Sequence, residues 1–170
     1  QDAAHSYQYD AENRLKSVDA GNSATYHFDA VGRRVKRTVG GMTTWFYHNG
    51  LNVIEEQDNA HATVASYVHG STLDEVLEMH RESAAFYYTH DALGSVVALT
   101  DQTGTLVERY SYTSYGGLTI TAGNGATLPA SSVQNAYHFA SRTIDWESGL
   151  YFNRLRSLAP QLGRFNQRDP

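Results

Sequence analysis

Tyr7-Gln8-Tyr9-Asp10-Ala11-Glu12-Asn13-Arg14-Leu15 is followed by Tyr26-His27-Phe28-Asp29-Ala30-Val31-Gly32-Arg33-Arg34. Both stretches are variants of Y-x-Y-D-x-x-G-R-L, and the step from Tyr7 to Tyr26 equals the step from Asp10 to Asp29. Asn13 stands where the second copy has Gly32; among non-glycine residues, Asn best tolerates a left-handed backbone. Tyr7/Tyr9 and Tyr26/Phe28 alternate with polar residues, so each pair presents one aromatic face of a strand. The Asp-to-Asn or Asp-to-Gly element that follows reads as a tight turn. Each unit is therefore a hairpin. One hairpin cannot bury its aromatic face alone, whereas stacked neighbours can.

The pattern continues in weaker form along the chain. Trp45-Phe46-Tyr47-His48-Asn49-Gly50 is a third copy, its Trp45 lying as far beyond Tyr26 as Tyr26 lies beyond Tyr7. Ser66-Tyr67-Val68-His69-Gly70, Tyr87-Tyr88-Thr89-His90-Asp91-Ala92-Leu93-Gly94-Ser95-Val96 and Tyr110-Ser111-Tyr112-Thr113-Ser114-Tyr115-Gly116 follow. Turns are expected at Asp10–Asn13, Asp29–Gly32, Asn49-Gly50, Asp91–Gly94 and Gln102–Gly104. Tyrosines at one register on adjacent strands would form ladders, each cross-strand pair contributing roughly 0.2–1 kcal/mol. Thr119–Gln134 is small and polar and reads as a long surface loop or insert. Thr72–His80 is ambiguous. Thr72 and Glu75 have capping-box spacing, and Leu73, Val76, Leu77 and His80 share a helical face.

Composition narrows the function. At 170 residues the chain has the length of about one domain. The hydrophobic fraction is 41%, and 12 tyrosines carry much of it, so many core side chains bring a hydroxyl that needs a partner. A net charge of −5 argues against a general nucleic-acid binder and against attraction to anionic membranes. There is no cysteine, which excludes disulfides and thiolate chemistry. No apolar run reaches the 18 residues or so of a membrane-spanning helix. The chain starts at Gln1 and leads directly into a repeat, as expected for part of a longer polypeptide.

Tyr137–Pro170 (YHFASRTIDWESGLYFNRLRSLAPQLGRFNQRDP) is the most specific segment. It resembles the core signature of the Rhs, or YD-repeat, family, R-x-x-D-x-E-T-G-L-Y-Y-x-R-x-R-x-Y-x-P-x-x-G-R-F-x-x-x-D-P. The matching residues are Arg142, Asp145, Glu147, Gly149, Leu150, Tyr151, Arg154, Arg156, Pro160, Gly163, Arg164, Phe165, Asp169 and Pro170. Ser148 replaces the usual Thr, and Ser157-Leu158 replaces the aromatic pair before the proline. The repeat residues Tyr7, Tyr9, Asp10, Tyr26, Phe28, Asp29 and Gly32 extend the resemblance over nearly the whole chain. It implies an all-β fold of stacked hairpins, forming a curved, twisted sheet that is part of a hollow shell. It also favours a strand rather than a helix in Thr72–His80. The organisation expected is a YD-repeat region over 1–118, a loop or insert over 119–134, and the core signature over 135–170.

The function implied is structural: walling off and helping deliver a C-terminal cargo, often a toxin, with a secreted or cell-surface destination. Partners would be that cargo polypeptide and neighbouring repeats or subunits pairing at sheet edges. An adhesive module binding carbohydrate or a partner protein through exposed tyrosines is an alternative, as is a self-assembling extracellular filament. In the family the core ends in an aspartate-dependent self-cleavage module. Arg168-Asp169-Pro170 resembles its first half, making Asp169, with Arg168 beside it, a candidate catalytic acid; the second aspartate and the scissile motif are not present in this sequence. Two close carboxylates sharing one proton supply both a base and an acid. Read as residues alone, Asp169-Pro170 is a turn closing the last strand.

Two other clusters invite chemistry. His27, His48, His69 and His90 recur at one constant interval, and an aligned imidazole row could bind a divalent metal. A recurring strand-end position explains the spacing better, since no Cys, H-x-H or H-x-x-x-H supports a site. Asp145 and Glu147 could do acid–base work, but with Arg142, Arg154 and Arg156 nearby they read better as an arginine–carboxylate network fixing register. No cofactor or metal is expected.

Overall fold

Thirteen antiparallel strands follow one another in chain order through a single sheet of the computed structural model, which describes residues 5–168. They are β1 (Tyr7–Tyr9), β2 (Leu15–Val18), β3 (Ala24–Phe28), β4 (Arg34–Val39), β5 (Met42–Asn49) and β6 (Asn52–Gln57). Then come β7 (Thr63–His69), β8 (Val76–Arg81), β9 (Ala84–His90), β10 (Val96–Asp101), β11 (Leu106–Tyr112), β12 (Leu118–Ala122) and β13 (Thr127–Leu128). A four-stranded meander follows: β14 (Thr143–Asp145), β15 (Leu150–Asn153), β16 (Arg156–Ala159) and β17 (Arg164–Phe165). The all-β stacked-hairpin fold is the one the repeats imply.

The turns show why the repeat reads Tyr-Asp-x-x-Gly. Asp10, Asp29, Asp58, Asp91 and Asp101 each accept, on one carboxylate oxygen, the backbone N–H groups two and four residues on, at 2.8–3.1 Å. The residue three after each aspartate has positive φ: Asn13 (62°), Gly32 (84°), His61 (59°), Gly94 (78°) and Gly104 (80°). Asn13 and Gly32 thus do one job with different side chains. Arg14 and Arg33 complete the first two turns, each donating from Nε to the other aspartate oxygen at 2.7 Å. Burial pushes the Asp10 carboxyl up, but the Arg14 backbone and guanidinium outweigh it and hold the group below its usual range.

The sheet buries the face carrying Tyr26, Tyr67, Tyr88 and Tyr110. The expected tyrosine ladder between adjacent strands is not what forms. Tyr67 faces Met79, Tyr88 faces Leu99, and Tyr110 faces Ile120. In these three pairs the outgoing strand supplies the ring and the return strand an aliphatic side chain, whereas Tyr26 faces Arg37. Large and small groups therefore interdigitate along the face. One core cluster is built from these residues with Ala65, Val76, Val96 and Tyr137. A second joins Leu15, Val18, Ala24 and Tyr26 to Leu150 and Ala159 of the meander.

Two local expectations resolve. Val76–Arg81 is a strand, and Thr72 donates to Glu75 from its hydroxyl (2.9 Å) and backbone N–H (3.3 Å), so the capping-box pair stabilises a turn instead. Thr119–Gln134, expected as a loop or insert, contains most of β12 and all of β13. The alternation Leu118, Ile120, Ala122 was the missed signal, because the polar residues between them face the other side.

Candidate functional site

The site is the junction where Tyr137–Gln167 lies against the tyrosine-bearing face of the long sheet. Its charged residues come from both sides. Arg34, at the start of β4, donates to both oxygens of Asp145 on β14 at 2.6 and 2.8 Å, with both side chains buried. The guanidinium lies 4.2 Å from the Tyr26 ring centroid and 3.9 Å from that of Phe152, a cation held between two π faces. Burial alone would push the Arg34 pKa down, but the Asp145 charge prevails and raises it. Tyr26 donates to Glu147 at 2.6 Å. Arg37 stands 3.7 Å from Glu147 and 3.9 Å from Asp145. Burial first, and then the Asp145 charge, push the Tyr26 phenol far up, so it stays a donor.

A second link runs the other way. Asp74, in the turn before β8, accepts Arg142 at 2.6 Å and Arg154 through both oxygens at 2.7 Å. Asp74 and Arg154 both adopt positive φ (64° and 56°). The third link is aromatic. Tyr137 meets Tyr67 edge-on at 5.2 Å and Tyr88 at 6.5 Å. Buried Asn135 accepts from the Tyr88 hydroxyl at 2.8 Å and the Tyr137 N–H at 3.0 Å, and donates to the Tyr110 hydroxyl at 3.2 Å and the Tyr137 carbonyl at 2.8 Å. Tyr110 donates to buried Glu108 at 2.6 Å, which also accepts the Ser132 hydroxyl at 2.6 Å. His138 is neutral: burial pulls its pKa down to about 3.

The signature residues thus form an arginine–carboxylate network, but not among themselves. Asp145 and Glu147 pair with Arg34, Arg37 and Tyr26 of the long sheet, and Arg142 and Arg154 pair with Asp74. Arg156 stacks on Phe165 with its guanidinium 3.8 Å from the ring centroid. Tyr151 donates to the Gly116 carbonyl at 2.9 Å. Pro160 is buried and Arg164 exposed on β17, while Gly149 and Gly163 hold positive φ, 68° and 61°. Tyr7, Tyr9 and Phe28 pack beside the second core cluster. Arg168 lines a groove of about 320 Å³ with Tyr7 and Tyr9, and Asp169 lies outside the described residues. His27 is exposed on the outer face, whereas His48, His69 and His90 are half-buried. Among the described residues no group of three or more His, Asp or Glu is placed to hold a metal.

Sequence reasoning missed Arg34, Asp74, Glu56 and Arg81. Arg34 carried a signal: the first repeat has Leu15 at that position, so an arginine there demands a buried carboxylate. Glu56 accepts from Tyr67 at 2.7 Å and from Arg81 at 2.9 Å, and neither partner is implied by its repeat position.

The model of the teneurin YD-shell matches residues 1–144. The chain belongs to that family. As a YD-shell chain it is 31% identical over 175 residues to the tRNA nuclease WapA of Bacillus subtilis (strain 168), and 30% identical to the tRNA3(Ser)-specific nuclease WapA of Bacillus spizizenii. The match takes in 99% of this chain and 7% of each relative, so the chain spans a small part of those proteins. The double-stranded DNA deaminase toxin A of Burkholderia cenocepacia is 24% identical over 96% of this chain and 14% of its own length. The fold is that of the TcdB2-TccC3 crystal structure without the hypervariable C-terminal region, with a TM-score of 0.70 at 17% identity over 99% of this chain and 9% of that one. A Tc holotoxin pore structure from Photorhabdus luminescens gives 0.72, also at 17% identity and over 99% and 9% of the two chains. Among the described residues no helix is long and apolar enough to cross a membrane.

Proposed function

We propose that this YD-shell chain is a wall-and-plug piece of an encapsulating shell, in which the long sheet is wall and Tyr137–Gln167 is the plug locked onto its inner face. The observation that carries the reading is the direction of the locks. A buried cation on the wall, Arg34, is paired with the plug carboxylate of Asp145, and half-buried cations on the plug, Arg142 and Arg154, are paired with the wall carboxylate of Asp74. A plug held this way seats in one place, because any other leaves buried charges unpaired. The relatives named as toxins support a toxic polypeptide as the cargo, and a secreted or surface destination follows from delivery. A chain enclosed by such a wall is kept from water-borne partners.

The test is protease protection in the native full-length protein. Segments C-terminal to the core signature should resist added protease in the intact protein, and Asp145→Ala should expose them. Equal cleavage of those segments in the intact protein and in an isolated cargo fragment would sink the proposal. Within the same reading, Asp169 and Arg168 are proposed as half of a self-cleavage site. Asp169→Asn should then leave the full-length chain uncut on denaturing gels, and processing at the wild-type rate would remove both from the site.

A further inference from the structure

A cavity of about 210 Å³ opens beside the Asp74 link. The charged side chains in its lining are Arg33, Arg34, Arg142, Arg154 and Asp74, and His48 and His69 also line it. Arg33 is matched by Asp29 at 2.7 Å and Arg34 by Asp145 at 2.6 Å, both outside the lining. Arg142 and Arg154 are left to share the single carboxylate of Asp74. Two guanidiniums on one carboxylate carry one uncompensated positive charge, in a half-buried place where water neutralises it poorly. The conflict is felt at Arg142, whose pKa is lowered by burial and by the Arg154 charge in spite of Asp74.

The rest of the cavity is apolar on one side and short of donors on the other. Val31, Leu51 and Leu155 line it and are exposed at 71%, 49% and 45%, an apolar rim unusual for turn residues. Inside, His69 shares its Nε2 proton with the Val53 carbonyl at 2.7 Å, which leaves Nδ1 as an acceptor. That Nδ1 and the Asn52 Oδ1 are buried and have no hydrogen-bond partner among the described residues. Buried acceptors left open cost free energy unless something donates to them.

We propose that this cavity binds a carboxylate carried on an apolar group, with the carboxylate on Arg142 and Arg154 and the apolar part against Val31, Leu51 and Leu155. An N–H beside the carboxylate would satisfy His69 or Asn52. That chemistry is offered by the end of a polypeptide or by a free apolar acid. The assignment rests on the charge and shape of the cavity, and stands whether or not the chain encloses a cargo.

The experiment is a titration of the full chain at pH 7 and constant ionic strength, followed by the Arg142 and Arg154 Nε–H resonances. N-acetylleucine should bind saturably, and N-acetylleucinamide, which lacks the charge, should bind at least about tenfold more weakly. 4-Methylpentanoate keeps the tail and the carboxylate without the N–H. Weaker binding than N-acetylleucine assigns the site to a chain end, and equal binding assigns it to a free acid. Arg142→Gln leaves Arg154 matched to Asp74 and should abolish the shift at Arg154, while Arg142→Lys should retain it. Three results would overturn the assignment: no saturable shift with either acid, amide binding as tight as acid binding, or undiminished binding in a natively folded Arg142→Gln. Inorganic phosphate binding as tightly as the apolar acids would do the same.

Discussion

Asp145→Ala should be among the most damaging single substitutions in this chain. It strips a bidentate partner from Arg34, whose guanidinium is buried between the Tyr26 and Phe152 rings. Removing one member of a buried ion pair costs about 3–5 kcal/mol, because the other charge stays buried. Unfolding entropy near the midpoint is about 2.1 cal/mol/K per residue, so for 170 residues it is about 0.36 kcal/mol/K, and the midpoint should fall by about 8–14 °C. The double replacement Arg34→Met with Asp145→Leu removes both charges and fills their space with apolar atoms. It should lie within about 1 kcal/mol of wild type. Urea unfolding of Arg34→Met, Asp145→Leu and the double closes the cycle. A loss under about 1 kcal/mol for Asp145→Ala, or a double as damaged as the sum of the singles, would refute the view that this pair is a desolvated latch.

Asn135→Ala orphans the Tyr88 hydroxyl and the Tyr137 N–H and carbonyl, so at about 1–3 kcal/mol per unsatisfied buried group it should cost at least 3 kcal/mol and speed amide exchange in β9 and β11. Asn13→Gly should be neutral within about 1 kcal/mol because φ is 62°, whereas Asn13→Val should lose about 1–3 kcal/mol in the same denaturant assay. His138 has a folded pKa of about 3, below the ordinary 6.5, so it contributes stability that is complete above pH 6.5 and is lost as pH falls toward 3. His48 and His90 are also lowered by burial, so His138→Phe should flatten, without abolishing, the slope of stability between pH 6.5 and 4. The 170-residue chain leaves β1 and β13 at the two margins of its sheet, and light scattering should show association through them; a monodisperse monomer would contradict that.

Most of the fold was legible because the hairpin turns are local. Asp10 and Asp29 satisfy their own backbone within four residues, so the aspartate and the left-handed position three residues later announce the turn wherever they occur. The Asp58–Ala62 turn shows the limit. Its left-handed residue is His61 rather than the Gly or Asn of the other turns, and the turn went unnoticed. The junction was less legible. Asp145 and Arg142 stood out, yet their partners Arg34 and Asp74 lie far upstream, at the start of β4 and in the turn before β8. Only the three-dimensional curl of the sheet brings them together, and no period in the sequence encodes that distance.

The spread of the junction over the wall turns the plug into a gauge of strand number. Its contacts fall on β2 at Leu15 and Val18, on β4 at Arg34, before β8 at Asp74, on β9 at Tyr88 and on β11 at Tyr110. Since strands stand about 4.8 Å apart, one extra hairpin between β4 and β8 would carry Asp74 nearly 10 Å from its place relative to Arg34. Arg142 and Asp145, only three residues apart on the plug, could no longer reach both. Recombination can therefore add or delete repeats without unseating the plug only outside the stretch from β2 to the turn after β11. Within it, the count is frozen by a segment that contributes no strand to the sheet it measures.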